Sequence, residues 1–308
     1  MASRQWDIIA IVGPTSSGKT ELSLELADML NGEIISADSR QIYMEISIGT
    51  GKPSNDQLTK IKHYLISEIS PAIKMTAYEF SKMADDIYKK IIERKKQCFL
   101  VGGTGLWIKA FCEGLHPTPP PDPEYRNVVL SEISKNGLNS IYQELMSRDP
   151  GLIGKIKPND KVRIIRAMEI LYNSGSVPSE IYRNTLGKKY NILWIGCYKP
   201  KEVLYQIAEQ KINLWIANGW IEEVRELSIK YGPDLPAMQT LGYFHILRYI
   251  AGSITKENMI MNIKLDTRHY IKRQFTWFRS NKQIHWVDTR KTIAEQVNEV
   301  LGAVSRIC

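Results

Sequence analysis

The sequence predicts an α/β protein, a parallel-sheet core carrying a helical insertion and a helical C-terminal part. Three observations predict it. Short β-like runs alternate with helical stretches, which is the pattern of a parallel sheet covered on both faces. The first such run leads directly into a glycine-rich turn that opens a helix. Five of the seven residues from 117 to 123 are proline, which ends regular structure and marks a boundary.

The elements follow in order. IIAIV (8–12) is the first strand, and ELSLELADML after the turn is the first helix. EIIS (33–36) is the second strand, YEFSKMADDIYKKIIERKK a long helix, and QCFLV (97–101) a third strand. Residues 124 to 185 read as helices without a strand, and ILWIG (192–196) then returns to the sheet. From about residue 200 onward the pattern is helical, including the long amphipathic stretch EVLYQIAEQKINLWIANGWIEEVRELSIK. The expected division is therefore residues 1–115 as the first part of the core, 116–189 as the insertion, and 190–308 as the return strand and helical C-terminal part.

The chain has 308 residues, 43% hydrophobic and 24% charged, enough apolar content for a proper core and too much for a disordered chain. No uncharged apolar run approaches the roughly 18 residues a membrane helix needs. A strand begins almost at the N-terminus, so no targeting segment is read and a cytoplasmic address is expected. Cys98, Cys112, Cys197 and Cys308 include no close pair and the five histidines form no HExxH pattern, so reduced, structural thiols are expected. The net charge of +8 is unevenly spread. Residues 155 to 190 carry eight basic and three acidic groups, and residues 262 to 282 carry six and one. Two segments thus hold the whole positive balance, which suits a polyanionic partner as well as it suits a solvated face.

The glycine-rich turn, Gly13-Pro14-Thr15-Ser16-Ser17-Gly18-Lys19-Thr20, fits G-x-x-x-x-G-K-[ST] between strand and helix, the context a P-loop requires. Its backbone N–H groups and the helix N-terminus face a phosphate, Lys19 adds a charge, and the Thr20 hydroxyl can ligate Mg²⁺. A nucleotide hydrolase would place a carboxylate after a later strand. Here QCFLV runs into Gly102-Gly103-Thr104-Gly105, and the nearest acidic candidate is Asp38, just past the second strand, where ordinary strand-end capping is the competing reading. The cradle therefore suits a diphosphate donor in a transfer reaction at least as well as ATP hydrolysis.

With these residues in view, the chain resembles the tRNA dimethylallyltransferases, or tRNA isopentenyltransferases, in their bacterial form. Eight segments besides the cradle occur in the family's order: ISADSRQIY, IGTGKP, VGGTGLWIKA, PDPEYR, DPG, PNDKVRIIRAMEI, LGY and TRHYIKRQFTWFR. The resemblance implies a P-loop core with a helical insertion that binds tRNA. It also implies transfer of a dimethylallyl group from dimethylallyl diphosphate to N6 of the adenosine 3′ to the anticodon, in tRNAs reading codons that start with U. By motif matching, Asp38 is the base facing the N6 amine, Lys19, Thr20 and Mg²⁺ hold the leaving diphosphate, and Thr104 lies near the reacting centre. The same matching sets Asp38, Ser39, Arg40, Gln41 and Thr104 against tRNA, together with Arg126 and Val162, Arg163, Ile164, Ile165 and Arg166. No protein partner is implied, so a monomer is expected.

In this light the basic segments read as RNA contacts. On a helix Ile164, Met168 and Leu171 share one face, leaving Arg163 and Arg166 about 60° apart on the other. Arg268, Lys272 and Arg279 form one ridge beside Ile271, Phe275 and Phe278, and Phe275, Trp277 and Phe278 are expected in the core. Two departures stand out. Gly242-Tyr243 is followed by Phe244 where the family has Arg or Lys, with Arg248 the nearest replacement, and His63-Tyr64-Leu65-Ile66-Ser67 ends in Ser where the family has Asp. An adenylate dimethylallyltransferase needs no large RNA surface, and a P-loop RNA-binding NTPase needs the missing carboxylate, so both fit less well.

Overall fold

The computed structural model describes residues 6 to 183, 187 and 189 to 305. Lys188 and Cys308 lie outside the described residues. The chain divides into two compact units: residues 1 to 112 with 188 to 308, and residues 113 to 187.

The first unit is built on a parallel sheet. Its elements run β1 (Ile8–Val12), α1 (Lys19–Met29), β2 (Gly32–Ala37), α2 (Asn55–Lys60), β3 (His63–Tyr64), α3 (Ala77–Glu93), β4 (Gln97–Gly102) and α4 (Gly105–Glu113). The six strands lie in the order β3-β2-β4-β1-β5-β6, where β5 (Ile192–Tyr198) and β6 (His285–Asp288) follow the second unit. β1 is central, with Ile8 opposite both Cys98 and Ile192. Both its faces are covered. Ile9 and Ile11 pack with Leu22 and Leu26 of α1, and Ile8, Ala10 and Val12 with Phe80, Trp107 and Phe111 of α3 and α4. A strand buried on both sides has no polar position, which is why IIAIV is apolar throughout. Cys98, Cys112 and Cys197 are buried in these two layers.

The second unit is helical: α5 (Pro123–Asn136), α6 (Leu138–Arg148), α7 (Lys161–Ser174) and α8 (Pro178–Ile181), around Val129, Ile141, Leu145, Ile164 and Met168. It begins at Glu113, the last residue of α4. The DPG segment has a structural reason: buried Asp149 accepts the Ser179 N–H at 2.8 Å and the Ser179 hydroxyl at 2.5 Å, closing the start of α8.

Beyond β5 the first unit continues with α9 (Lys201–Ala217), α10 (Trp220–Tyr231), α11 (Tyr243–Ile250), α12 (Lys256–Arg279) and, after β6, α13 (Ile293–Ser305). The long amphipathic stretch 202–230 is two helices. Gly219, at φ 95°, takes a left-handed conformation that ends α9 and lets α10 turn away. The purely helical expectation beyond residue 200 missed β6, a strand too short to show periodicity and held by pairing with β5. Phe275 and Phe278 are buried as expected, whereas Trp277 is 38% exposed. Its indole fills the space beside Gly105, where a Cβ would stand 2.2 Å from Nε1.

Candidate active site

The loop after β1 curls around the C-terminal end of the sheet, where open α/β sheets bind their ligands. Gly18 is left-handed at φ 92°, so the chain enters α1 abruptly, with no side-chain cap on the helix's first N–H groups. The loop is braced from three sides. The Thr289 hydroxyl donates to the Ser17 carbonyl at 2.6 Å, and Lys199 Nζ donates to the same oxygen at 3.4 Å. From α12, Gln274 accepts the Thr15 N–H at 2.9 Å and donates to the Gly103 carbonyl at 3.0 Å.

Lys19 Nζ folds back onto the Pro14 carbonyl at 2.7 Å. Desolvation lowers its pKa to about 8, and the positive charges of Lys211 and Lys199 push the same way. Three lysines around one loop repel one another, and an anion placed among them relieves that repulsion. Thr20 lines the same cavity.

Asp38 lines this cavity too, and its charge acts on Lys19 against the desolvation. Its Oδ1 accepts the N–H groups of Arg40 (2.9 Å) and Gln41 (3.4 Å), so the strand-end cap is real, and it fixes the carboxylate's orientation. Gln41 extends the turn by donating from Nε2 to the carbonyls of Gly51 (3.0 Å) and Thr50 (3.4 Å), which ties the DSRQ and IGTGKP segments together. Thr104 is a brace and not a cavity wall: its hydroxyl accepts the Ser39 N–H at 3.0 Å and donates to Ser39 Oγ at 3.3 Å.

Tyr270, which sequence reasoning missed, stands beside these residues. Burial and the nearby Asp38 carboxylate raise its phenol above the usual range, while the Arg40 guanidinium, 5.1 Å from the ring centroid, opposes this. Ser39, Arg40, Tyr270 and Arg273 also line a second, adjoining cavity with Phe244, His245 and Asp266. Arg248 has its guanidinium 6.0 Å from the Phe244 ring, so a cation does stand next to the departure at 244.

The main cavity measures about 180 Å³, and its far wall was also missed. Ala208, Lys211, Ile212 and Trp215 of α9 all face it, a single stripe with one cation among apolar side chains. That mixed stripe, and a lone glutamine between Ile271 and Phe278 on α12, were the available signals; neither means anything until the helices are known to cover the loop. The cavity thus joins a cationic phosphate cradle, a fixed carboxylate and an apolar wall. Such a site accommodates an anionic ligand with a hydrocarbon tail.

The expected RNA residues divide. In the second unit Val162 is 78% exposed and the Arg163 side chain 62%, the latter 3.4 Å from Asp160. Ile164 and Ile165 are corrections: both are buried in the helical core, so their side chains have no outward surface to offer RNA. Arg126 and Arg166 are committed inward. Both pair with the fully buried Glu169, Arg126 through two bonds of 2.8 and 3.0 Å and Arg166 at 3.2 Å. In the first unit Arg268, Lys272 and Arg279 are all exposed; Arg268 pairs with Glu209 at 2.8 Å and Arg279 lies over Phe275. No group of three or more His, Cys, Asp or Glu among the described residues could hold a metal ion, and no described helix is long and apolar enough to cross a membrane.

Known proteins of the same kind exist. The IPP transferase family model matches residues 41–281. The tRNA dimethylallyltransferase of Dictyoglomus turgidum is 40% identical over 296 residues, 96% of this chain and 91% of its own. That of Halothermothrix orenii is 40% identical over 304 residues, 97% of this chain and 92% of its own. Among solved structures, the tRNA isopentenylpyrophosphate transferase of Bacillus halodurans superposes with TM-score 0.71 at 33% identity, covering 96% of this chain and 95% of that one. A eukaryotic dimethylallyltransferase acting on tRNA superposes with TM-score 0.81 at 25% identity, covering 97% of this chain and 78% of that one.

Proposed function

This chain belongs to the IPP transferase family, the tRNA dimethylallyltransferases, and from that premise we propose that it transfers a dimethylallyl group from dimethylallyl diphosphate to N6 of the adenosine 3′ to the anticodon. The tRNAs concerned read codons that start with U, and the product is N6-dimethylallyladenosine. One observation carries the reading: the cationic loop and the apolar face of α9 line one cavity with Asp38, matching a donor that is charged at one end and hydrocarbon at the other.

In the reaction the N6–C1 bond forms as the C1–O bond to the diphosphate breaks. The amine proton passes to the Asp38 carboxylate, which the Arg40 and Gln41 N–H groups hold in position. Lys19, Lys211 and the loop N–H groups stabilise the charge that grows on the departing diphosphate. The residues fit Mg²⁺ in the manner of phosphate enzymes, with few protein ligands and the rest supplied by the substrate. The Thr20 hydroxyl would hold the ion, which when bound neutralises part of the diphosphate charge. The target base leaves its stack to reach this site, and the aromatic and cationic rim formed by Phe244, Arg40, Tyr270 and Arg273 suits an unstacked nucleotide. A cytoplasmic monomer accompanies this reading.

The test is a mass measurement. Purified protein, dimethylallyl diphosphate, Mg²⁺ and an anticodon stem-loop should give RNA heavier by one dimethylallyl group, without ATP. In a parallel mixture with AMP and ATP added, prenylated AMP beside an untouched stem-loop would replace this reading by an adenylate transferase, and phosphate release from ATP without prenylation by an NTPase.

A further inference from the structure

Two tryptophans, held very differently, line the main cavity. Trp220 is 1% exposed, and two glycines make room for its ring: a Cβ at Gly49 or at Gly242 would stand 2.3 Å from it. It therefore cannot move aside. Trp215 meets it edge to face, with ring centroids 5.5 Å apart and planes at 79°. It is only half-buried and lies across the cavity's edge from Gly51, whose Cβ position is 3.7 Å from the indole Cζ2.

The α9 stripe orders the cavity from one end to the other. Lys211 is close enough to Lys19 to depress its pKa, so that end of the stripe belongs to the phosphate loop. Trp215 stands four residues on, about 6 Å further along the helix axis. A donor with its diphosphate on the loop and its tail along Ile212 meets the Trp215 indole at the end of that tail. We propose that Trp215 is the stop that limits the donor to one isoprene unit. The inference rests on the prenyl-diphosphate reading above and deepens it. A second isoprene unit would have to displace an indole that is backed by an immobile one, and hydrophobic pockets already discriminate about tenfold or more against a single surplus methylene.

The experiment compares dimethylallyl and geranyl diphosphate as donors to the same stem-loop. The wild-type enzyme uses the first and rejects the second. Trp215→Ala should raise kcat/KM for geranyl diphosphate at least ~10-fold and raise the KM for dimethylallyl diphosphate ~10-fold, since the short tail loses its contact. Stem-loop affinity stays unchanged. Trp215→Phe, which keeps a ring on Trp220, retains the wild-type preference. Trp215→Leu shifts the ratio in the direction of the alanine variant by a smaller factor, and stands in for it if that variant fails to fold. An unchanged donor ratio in both the Ala and Leu variants overturns the assignment and leaves the proposed function standing. A wild-type enzyme that uses neither donor overturns the function and the assignment with it.

Discussion

Gln274 and Thr15 are 259 positions apart in the chain, yet the Gln274 side chain accepts the Thr15 N–H at 2.9 Å. The same amide donates to Gly103, so one side chain from α12 locks the phosphate loop to the turn after β4. A Cβ at Gly103 would stand 2.3 Å from Gln274 Nε2, which accounts for glycine there. Gln274→Leu should leave the buried Gly103 carbonyl unmet, costing about 1–3 kcal/mol, and the partly buried Thr15 N–H unmet at a smaller cost, and should loosen the loop. A lower melting temperature and a raised donor KM, with stem-loop Kd unchanged, are the expected outcomes. An unaltered donor KM would make Gln274 purely a packing residue.

Lys19→Ala removes a charge aimed at the leaving diphosphate, and kcat should fall by about 10²–10³. The wild type carries its own pH signature. With a pKa of about 8, Lys19 is charged at neutral pH and loses its proton as pH rises through that value. For the free enzyme, kcat/KM for the donor should therefore fall about tenfold per pH unit above pH 8. Lys19→Arg should abolish that alkaline limb, because a guanidinium stays charged. A limb that persists in the arginine variant would belong to another group.

Asp38→Asn keeps an Oδ1 that accepts from Arg40 and Gln41, so the turn survives while the proton acceptor is lost. We expect kcat to fall roughly 10²–10⁴-fold with little change in stem-loop Kd. Loss of RNA binding at unchanged kcat would make Asp38 a docking residue only.

The cations should separate by their partners. Arg163→Ala and Lys272→Ala remove exposed charges, and each should weaken stem-loop binding and flatten the log K against log [salt] slope by about 0.7–0.9. Arg268→Ala should flatten it less, because Glu209 holds that guanidinium at hydrogen-bond distance (2.8 Å), whereas Asp160 stands 3.4 Å from the more exposed Arg163. Arg126→Ala removes two of the hydrogen bonds to the buried Glu169, which keeps Arg166, and should destabilise the helical unit by about 1–3 kcal/mol, visible in a thermal melt. Arg166→Ala should do so by less, since Arg126 retains both its bonds to that carboxylate.

The sequence by itself determined the parts whose chemistry is local. A phosphate loop is a contiguous turn between strand and helix, so residues 13–20 announced themselves, as did IIAIV, which is apolar at every position because both its faces are covered. Asp38 was legible as the acidic group at the end of β2, and the proline run as an end to regular structure. Tertiary structure decided everything that depends on which faces meet. Ile164 and Ile165 occupy a basic motif yet point into the core, because a helix buries one side whatever its neighbours carry. Lys211, Trp215, Tyr270 and Gln274 lie on two helices far along the chain, and they reach the cavity only because α9 and α12 fold over the ends of the strands. Periodicity shows that such a helix has a buried stripe. It does not show what the stripe is buried against, and that neighbour is what turns a lysine, a glutamine or a tryptophan into part of a site.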